Sequence, residues 1–331
     1  MSTGLQVRNL KVSVPTPAGP KLAVDDVSFE LPKGKSIALV GESGSGKSLT
    51  AYALMRLLRD PVNFEGGDII LNGETISNLS TKEFRKIRGG KIGMIYQDPM
   101  SALNPLMKIG QQIVESIRAH SEIDKNSAKK RAIQLLEEVG IPGAKESFNA
   151  YPFEFSGGML QRVVIAMALS GNPEILIADE ATTALDVTTQ ARVLNLISKL
   201  ASDRGLSVLL ITHDLGVAAQ FADELVVMYA GKIVEKGEIR SIFSRPLHPY
   251  TQALLDSRCD YTIDFTKPIN TILGQPPRPE NRTTGCAFAP RCKFRLESCE
   301  KIVPPLEKIT NRLVACLRVT EVNQIMEPSD F

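Results

Sequence analysis

Gly41-Glu42-Ser43-Gly44-Ser45-Gly46-Lys47-Ser48 is the most constrained stretch of this 331-residue chain. It fits G-x-x-x-x-G-K-[ST] at every fixed position. Before it, Ser36-Ile37-Ala38-Leu39-Val40 is short and apolar, like a buried parallel strand. After it, Leu49 to Leu58 reads as a helix. Strand, glycine-rich turn and helix is the context in which backbone N–H groups curl around phosphate oxygens and a helix N-terminus adds a positive dipole end. That dipole supplies at most ~2 kcal/mol, whereas micromolar nucleotide binding needs roughly 8 kcal/mol. Side chains must therefore contribute. Lys47 is expected on the β- and γ-phosphates of ATP and Ser48 on Mg2+, with Gly41, Ser43, Gly44, Ser45, Gly46 and Leu49 completing the cradle.

The strands and helices around this stretch alternate. Residues 5–14 and 22–31 read as strands, turned by Pro15, Pro17, Gly19 and Pro20. Gly66 to Leu71 reads as a strand closed by an Asn72-Gly73 turn, and Lys91 to Tyr96 as another that ends at Gln97. From about 105 to 170 the apolar period becomes helical, as in Ala132, Leu135, Leu136 and Val139. Ser156 is expected to cap a helix running to Leu169. Glu174–Ala178 and Ser207–Thr212 are buried strands flanking a helix over Thr188–Leu200, and a last hairpin is expected around Ala230-Gly231. The pattern predicts an α/β core with a largely parallel sheet. Past about residue 245 prolines and cysteines rise and periodicity fades, which predicts a small appended domain.

Composition narrows the class. Thirty-nine basic residues against 37 acidic give a net charge of +2, so nothing argues for general nucleic-acid binding. Met1 to Pro15 has no signal-peptide core, and no run of about 18 apolar residues exists. A membrane role is therefore expected to come through a partner, and the chain is expected in the cytosol, where structural disulfides are rare.

Asp179 closes the apolar run Ile175-Leu176-Ile177-Ala178. A carboxylate at the end of a buried strand beside a phosphate loop is where Mg2+ is held. Glu180 follows, positioned as a general base for the attacking water if the chain bends there. Near the C-terminus Cys286, Cys292, Cys299 and Cys316 stand together. Four cysteines in a chain of this kind suggest a metal site or cluster. Their spacing fits neither the common zinc patterns nor the ferredoxin runs, so cluster, zinc and buried thiols all stay open. Cys259 stands apart and reads as an ordinary small core residue.

With these residues in place, the chain resembles the ATPase subunits of ATP-binding-cassette (ABC) transporters. The family's linker signature resembles Ser156-Gly157-Gly158 followed by Gln161-Arg162. Its other switches match Gln97, Asp186 within Ala184-Leu185-Asp186, and His213. The resemblance covers residues 5 to about 240. It implies a mostly parallel sheet, an antiparallel β subdomain and a helical subdomain at about 98–170. It also implies that two such subunits sandwich two ATP molecules. Ser156, Gly157 and Gly158 then touch ATP held by the partner, and Asp186 belongs with the cofactor-binding residues. Gln97 senses Mg2+ and the attacking water, and His213 contacts the γ-phosphate. Three positions depart from the family pattern. No aromatic residue precedes Phe29, which leaves Val14 where adenine usually stacks; Met159 stands where Gln is common, and Ala181 where proline is usual.

Two stretches point to a branch. Gln97 to Pro105 and Arg245 to Leu255 resemble the oligopeptide, dipeptide and nickel importers, with His248 in the second read as a packing and capping residue. The branch implies an ABC domain over 1–244 and an extension over 245–331 whose four cysteines hold a [4Fe–4S] cluster. It further implies a motor for di- or oligopeptide uptake on the cytoplasmic face of the cell membrane. Its partners are a second, related ATPase subunit, two permease subunits and, indirectly, a solute-binding protein, with no nucleic acid. Nickel or another small solute is the alternative cargo. A soluble non-transport ABC ATPase is disfavoured, because the chain has one cassette, no heptad run and no basic arm.

Overall fold

The computed structural model of the chain describes residues 4–182, 185–257 and 272–325. Strands β1 (Leu5–Val14), β2 (Lys21–Leu31) and β3 (Ser36–Val40) lead to helix α1 (Lys47–Leu54). Next come β4 (Asn63–Leu71), β5 (Glu74–Thr75), α2 (Thr81–Ile87) and β6 (Ile92–Ile95). Five helices follow: α3 (Pro99–Ala102), α4 (Ile109–His120), α5 (Lys125–Glu138), α6 (Ala144–Ser147) and α7 (Gly157–Ala168). Alternation resumes with β7 (Ile175–Asp179), α8 (Val187–Arg204), β8 (Ser207–Thr212), α9 (Leu215–Phe221), β9 (Glu224–Tyr229) and β10 (Lys232–Glu238). The C-terminal part holds α10 (Ile239–Ser244), α11 (Pro249–Asp256), α12 (Glu297–Lys301), β11 (Glu307–Ile309), β12 (Arg312–Val314) and α13 (Val319–Ile325). Cys259 and Ala184 lie outside the described residues.

The chain forms two compact units. The first comprises Met1–Leu5, Leu31–Ser36 and Ile70–Ile211. In it β6, β7 and β8 run parallel, with Ile92 opposite Ile175 and Ala178 opposite Leu210. Every residue of these strands up to Ile211 is buried, so each reads as a continuous apolar run rather than an alternation. The helical part packs the apolar stripes of α4 (Ile109, Ile113, Ile117), α5 (Ala128, Ala132, Leu135) and α7 (Leu160, Val163, Val164), all at three- and four-residue spacing.

The second unit comprises Gln6–Glu30, Ile37–Ile69 and Thr212–Phe331. Here β3 pairs in parallel with β9, Val40 opposite Val227. The β9–β10 hairpin turns at Ala230 and Gly231, whose φ of 46° and 80° are the two positive values that a tight primed turn needs. β1 lies between β2 and β4. One apolar cluster joins Ala38 and Val40 of β3 to Tyr229, to Tyr250 and Leu255 of α11, and to Phe288 of the cysteine-bearing segment.

Two expectations change. The helix after the phosphate loop ends at Leu54, not Leu58, because Arg56 takes a left-handed φ of 48°. The β9–β10 hairpin is not the last: β12 returns to pair with β10, Glu235 opposite Val314, and β11 pairs with β12. Strands of three residues are too short to carry an alternation signal, which is why the sequence does not announce them.

The junction between β10 and α11 is polar and buried. Glu235 is fully buried and accepts the Leu247 and His248 N–H groups at 2.9 and 3.0 Å, with the Arg312 guanidinium 3.4 Å away. Burial raises its carboxyl above the usual carboxylate range. His248 caps α11 as expected, its Nδ1 accepting the Tyr250 N–H at 3.0 Å. Burial pushes its imidazole down to about 3. The unfolded chain therefore takes up this proton first, and stability falls as pH drops from about 6.5 toward 3, by up to roughly tenfold in the unfolding constant per pH unit. His248→Asn keeps a capping acceptor and removes the titration. Urea midpoints at about pH 7 and pH 5 should therefore fall further for the natural protein than for this variant.

Candidate nucleotide site

In the second unit the chain leaves β3 at Gly41 with φ 152°, where a Cβ would lie 2.2 Å from the Met228 carbonyl oxygen of β9. Gly44 and Gly46 take φ of 79° and 103°, conformations that glycine adopts without strain. The hairpin tip braces the loop: the Gly231 N–H donates to the Ser45 carbonyl, and the Gly231 carbonyl accepts the Asp25 N–H, both at 2.9 Å. Lys47 is buried at the first position of α1, and its Nζ donates to the carbonyls of Gly41 (2.8 Å) and Glu42 (3.0 Å). The ammonium is thus gathered in by the loop's own carbonyls. Ser48 and Leu49 are half-buried, Ser43 and Gly44 are exposed, and the Ser45 hydroxyl is buried without a hydrogen-bond partner among the described residues. No side chain caps α1, and a helix N-terminus is the end that favours an anion. His213 is exposed just before Asp214, which caps α9 by accepting the Gly216 and Val217 N–H groups at 2.8 and 3.1 Å.

In the first unit Asp179 ends β7 with 1% of its surface exposed. The Glu180 N–H still donates to the Ile211 carbonyl at 2.9 Å, but its φ is 45°, the bend that re-aims a side chain at a strand end. Gln97 Nε2 donates to Glu180 Oε2 at 2.9 Å, which brings together two residues 83 apart in sequence. Ser156 caps α7, its hydroxyl accepting the Met159 N–H at 3.4 Å. Gly157 is exposed, and Gly158 lies so close to α8 that a Cβ there would meet Thr189 Cγ2 at 2.7 Å. Asp186 caps α8 through the Thr189 N–H at 3.0 Å, a bond that holds its carboxyl below the ordinary range. Ala181, which stands where proline is usual in the family, is buried.

Sequence reasoning missed one contact to the loop. Arg291, beside Cys292, bonds Glu42 with both arms of its guanidinium, and the Glu42 N–H donates to the Tyr250 hydroxyl at 2.8 Å. Only the position of Arg291 inside the cysteine-bearing segment could have drawn attention to it.

Cys286, Cys292, Cys299 and Cys316 are free thiols that line one cavity of about 20 Å3 with His248 and Arg318. Burial raises Cys286, Cys292 and Cys316, the last to about 11. Among the described residues no group of three or more His, Cys, Asp or Glu is placed to hold a metal ion. A cavity of this size accepts about one water molecule. The sequence expectation of a [4Fe–4S] cluster thus finds no support in the geometry; what is seen is four thiols converging on one small space.

A glycine-rich turn from buried strand to helix, an acidic pair at a parallel strand end and a Ser-Gly-Gly helix start together define a phosphate-loop ATPase of the cassette class. Comparison with known proteins agrees. The ABC transporter family model matches residues 24–183, and the model of the oligopeptide/dipeptide transporter C-terminal region matches 234–299. The oligopeptide transport ATP-binding protein OppD of Bacillus subtilis (strain 168) is 48% identical over 308 residues, 93% of this chain and 86% of its own. A putative peptide import ATP-binding protein of Brucella abortus (strain 2308) is 47% identical over 312 residues, 94% of each chain. A dimeric ATP-binding cassette, solved in a post-hydrolysis state bound to ADP and Pi, shares 27% identity with a TM-score of 0.63, covering 71% of this chain and 99% of that one. The chain belongs to the ATP-binding proteins of ABC transporters, in the oligopeptide/dipeptide branch. Its enzymatic activity is ATP hydrolysis, for which ATP and Mg2+ are the expected cofactors. Among the described residues no helix is long and apolar enough to cross a membrane.

The loop geometry separates two glycines. Gly41→Ala drives a methyl into backbone and should cost on the order of 1–3 kcal/mol. Gly44→Ala meets no atom within 4 Å and should cost only the left-handed strain, about 1 kcal/mol. Urea unfolding of the two variants checks the order.

Proposed function

We propose that this chain is the motor subunit of a peptide importer, coupling ATP binding and hydrolysis to the uptake of di- or oligopeptides. Support comes from its relatives, which are named for peptide import and oligopeptide transport, and from the match of its C-terminal region. On this reading residues 1–244 are the ATPase module and 245–331 the branch's extension. The protein sits at the cytoplasmic face of the cell membrane against two permease subunits. A second ATPase subunit, related in sequence, completes the motor, and a solute-binding protein delivers the cargo.

The observation that carries the chemistry is the Gln97–Glu180 hydrogen bond. An amide that donates to a carboxylate oxygen orients that carboxylate as a proton acceptor for water. Glu180 is then the general base, and Gln97 the switch that reports whether the base is in place. Lys47, with the N–H groups of Gly41, Ser43, Gly44, Ser45, Gly46, Ser48 and Leu49, binds the phosphates. Ser48, Asp179 and Gln97 are the proposed Mg2+ ligands. His213 steadies the γ-phosphate, Ser156, Gly157 and Gly158 serve the nucleotide held by the second subunit, and Asp186 belongs with the nucleotide-binding residues. Such chemistry is largely positioning and electrostatics, which suits this set of groups.

The [4Fe–4S] reading of the cysteines is kept as a proposal that rests on family resemblance and on four thiols sharing one cavity. Protein purified without oxygen decides it: about four irons and four sulfides per chain, lost in Cys292→Ser, support a cluster, and neither metal nor sulfide removes it.

In the assembled complex Glu180→Gln should still bind ATP while turnover falls by roughly 10²–10⁴-fold. Lys47→Ala should weaken ATP affinity at least about tenfold, a loss of about 1.4 kcal/mol. Near-normal turnover in the first variant, or unchanged affinity in the second, contradicts the assigned role.

A further inference from the structure

Glu42 is the one acidic residue of the phosphate loop, and it faces a ligand that carries several negative charges. Left unpaired, it opposes binding, because like charges held close together at a partly buried site repel. The structure provides its counter-charge from far along the chain. Arg291 Nη1 and Nη2 reach Glu42 Oε2 and Oε1 at 2.6 and 2.9 Å, a two-pronged pairing that matches guanidinium to carboxylate. The Arg291 side chain is only 5% exposed and that of Glu42 25%.

Arg291 is itself fixed. Its Nε donates to the Leu273 carbonyl at 2.9 Å, and its Nη2 to the carbonyls of Ile272 and Gly274, each at 3.2 Å. Its Cζ lies 5.8 Å from the centre of the Tyr229 ring. Burial draws its pKa down, but the bonds to Glu42 and Tyr229 outweigh this and leave it above the ordinary value. Behind it Phe288 packs on Tyr229 and Tyr250 at ring distances of 5.2 and 5.3 Å. Glu42 is gripped at all three of its polar points. Arg291 takes the carboxylate, Tyr250 accepts from the N–H, and the carbonyl holds Lys47 Nζ at 3.0 Å.

We propose that Arg291, in the cysteine-bearing extension, is a positioning residue of the nucleotide site: it holds and neutralises Glu42, and so keeps the phosphate loop fit to receive a polyphosphate. The extension is then a component of the ATP site. This rests on the reading of residues 41–48 as the phosphate-binding loop.

The test is ATP affinity of the full-length chain, with KM and kcat of the assembled complex. Arg291→Ala should raise the ATP Kd and KM about tenfold with kcat within about twofold. Arg291→Gln, which keeps the bulk and hydrogen-bonding but not the charge, should behave alike, and it serves if the alanine variant does not fold. Arg291→Lys should stay within about threefold of the natural protein. Glu42→Gln alone gives the affinity against which the double variant is read. The deciding variant is Arg291→Gln with Glu42→Gln: removal of the unpaired charge should restore affinity to within about threefold. A double variant as weak as Arg291→Gln reduces Arg291 to a structural stitch and overturns the proposal, as does unchanged affinity in Arg291→Gln. Unchanged affinity in Lys47→Ala overturns the reading of the loop itself and the proposal with it, so the two failures are told apart.

Discussion

A phosphate loop must leave its backbone N–H groups uncovered while its chain passes in contact with neighbouring strands. Here that constraint is met by glycines placed against carbonyl oxygens. A side chain at Gly41 would strike the Met228 carbonyl, and one at Gly231 would strike the Ala23 carbonyl, each at 2.2 Å. The parallel pairing of β3 with β9 brings Met228 to the loop, and the hairpin beyond β9 brings Gly231 to Ser45 and Asp25. Loop, hairpin and β2 are thereby interlocked within the second unit, and none of the three can shift without opening a backbone contact or a hydrogen bond.

The residues proposed as switches share one arrangement. Gln97 is followed by Asp98, which caps α3 by accepting the Met100 and Ser101 N–H groups. His213 is followed by Asp214, which caps α9. Ser156 and Asp186 are themselves the caps of α7 and α8. A cap contributes about 1 kcal/mol to its helix and fixes the angle at which the chain enters it. Each of these residues thus stands at a turn whose downstream end is pinned to a helix start.

Much of this was legible in the sequence because local chemistry dictates it. The loop glycines, the buried strands before Gly41 and Glu180, the cap at Ser156 and the capping role of His248 all follow from constraints acting within a few residues. What escaped detection depends on distant pairing. Gln97 and Glu180 are 83 residues apart, Glu42 and Arg291 are 249 apart, and neither partner carries a spacing that names the other. The β11–β12 hairpin was invisible for a different reason: strands of three residues are too short to leave a periodic trace. The cysteines are a different case: they are near one another in sequence and converge on one cavity, but nearness in sequence does not say what they hold.

The pairing of β12 onto β10 has a consequence beyond topology. Without it, β10 would present a row of unmatched N–H and C=O groups, a template on which another strand can add. The three-residue β11 that ends the ladder is too short and too charged, with Glu307 and Lys308 exposed, to continue it. The cysteine-bearing tail thus seals the margin of the sheet against growth.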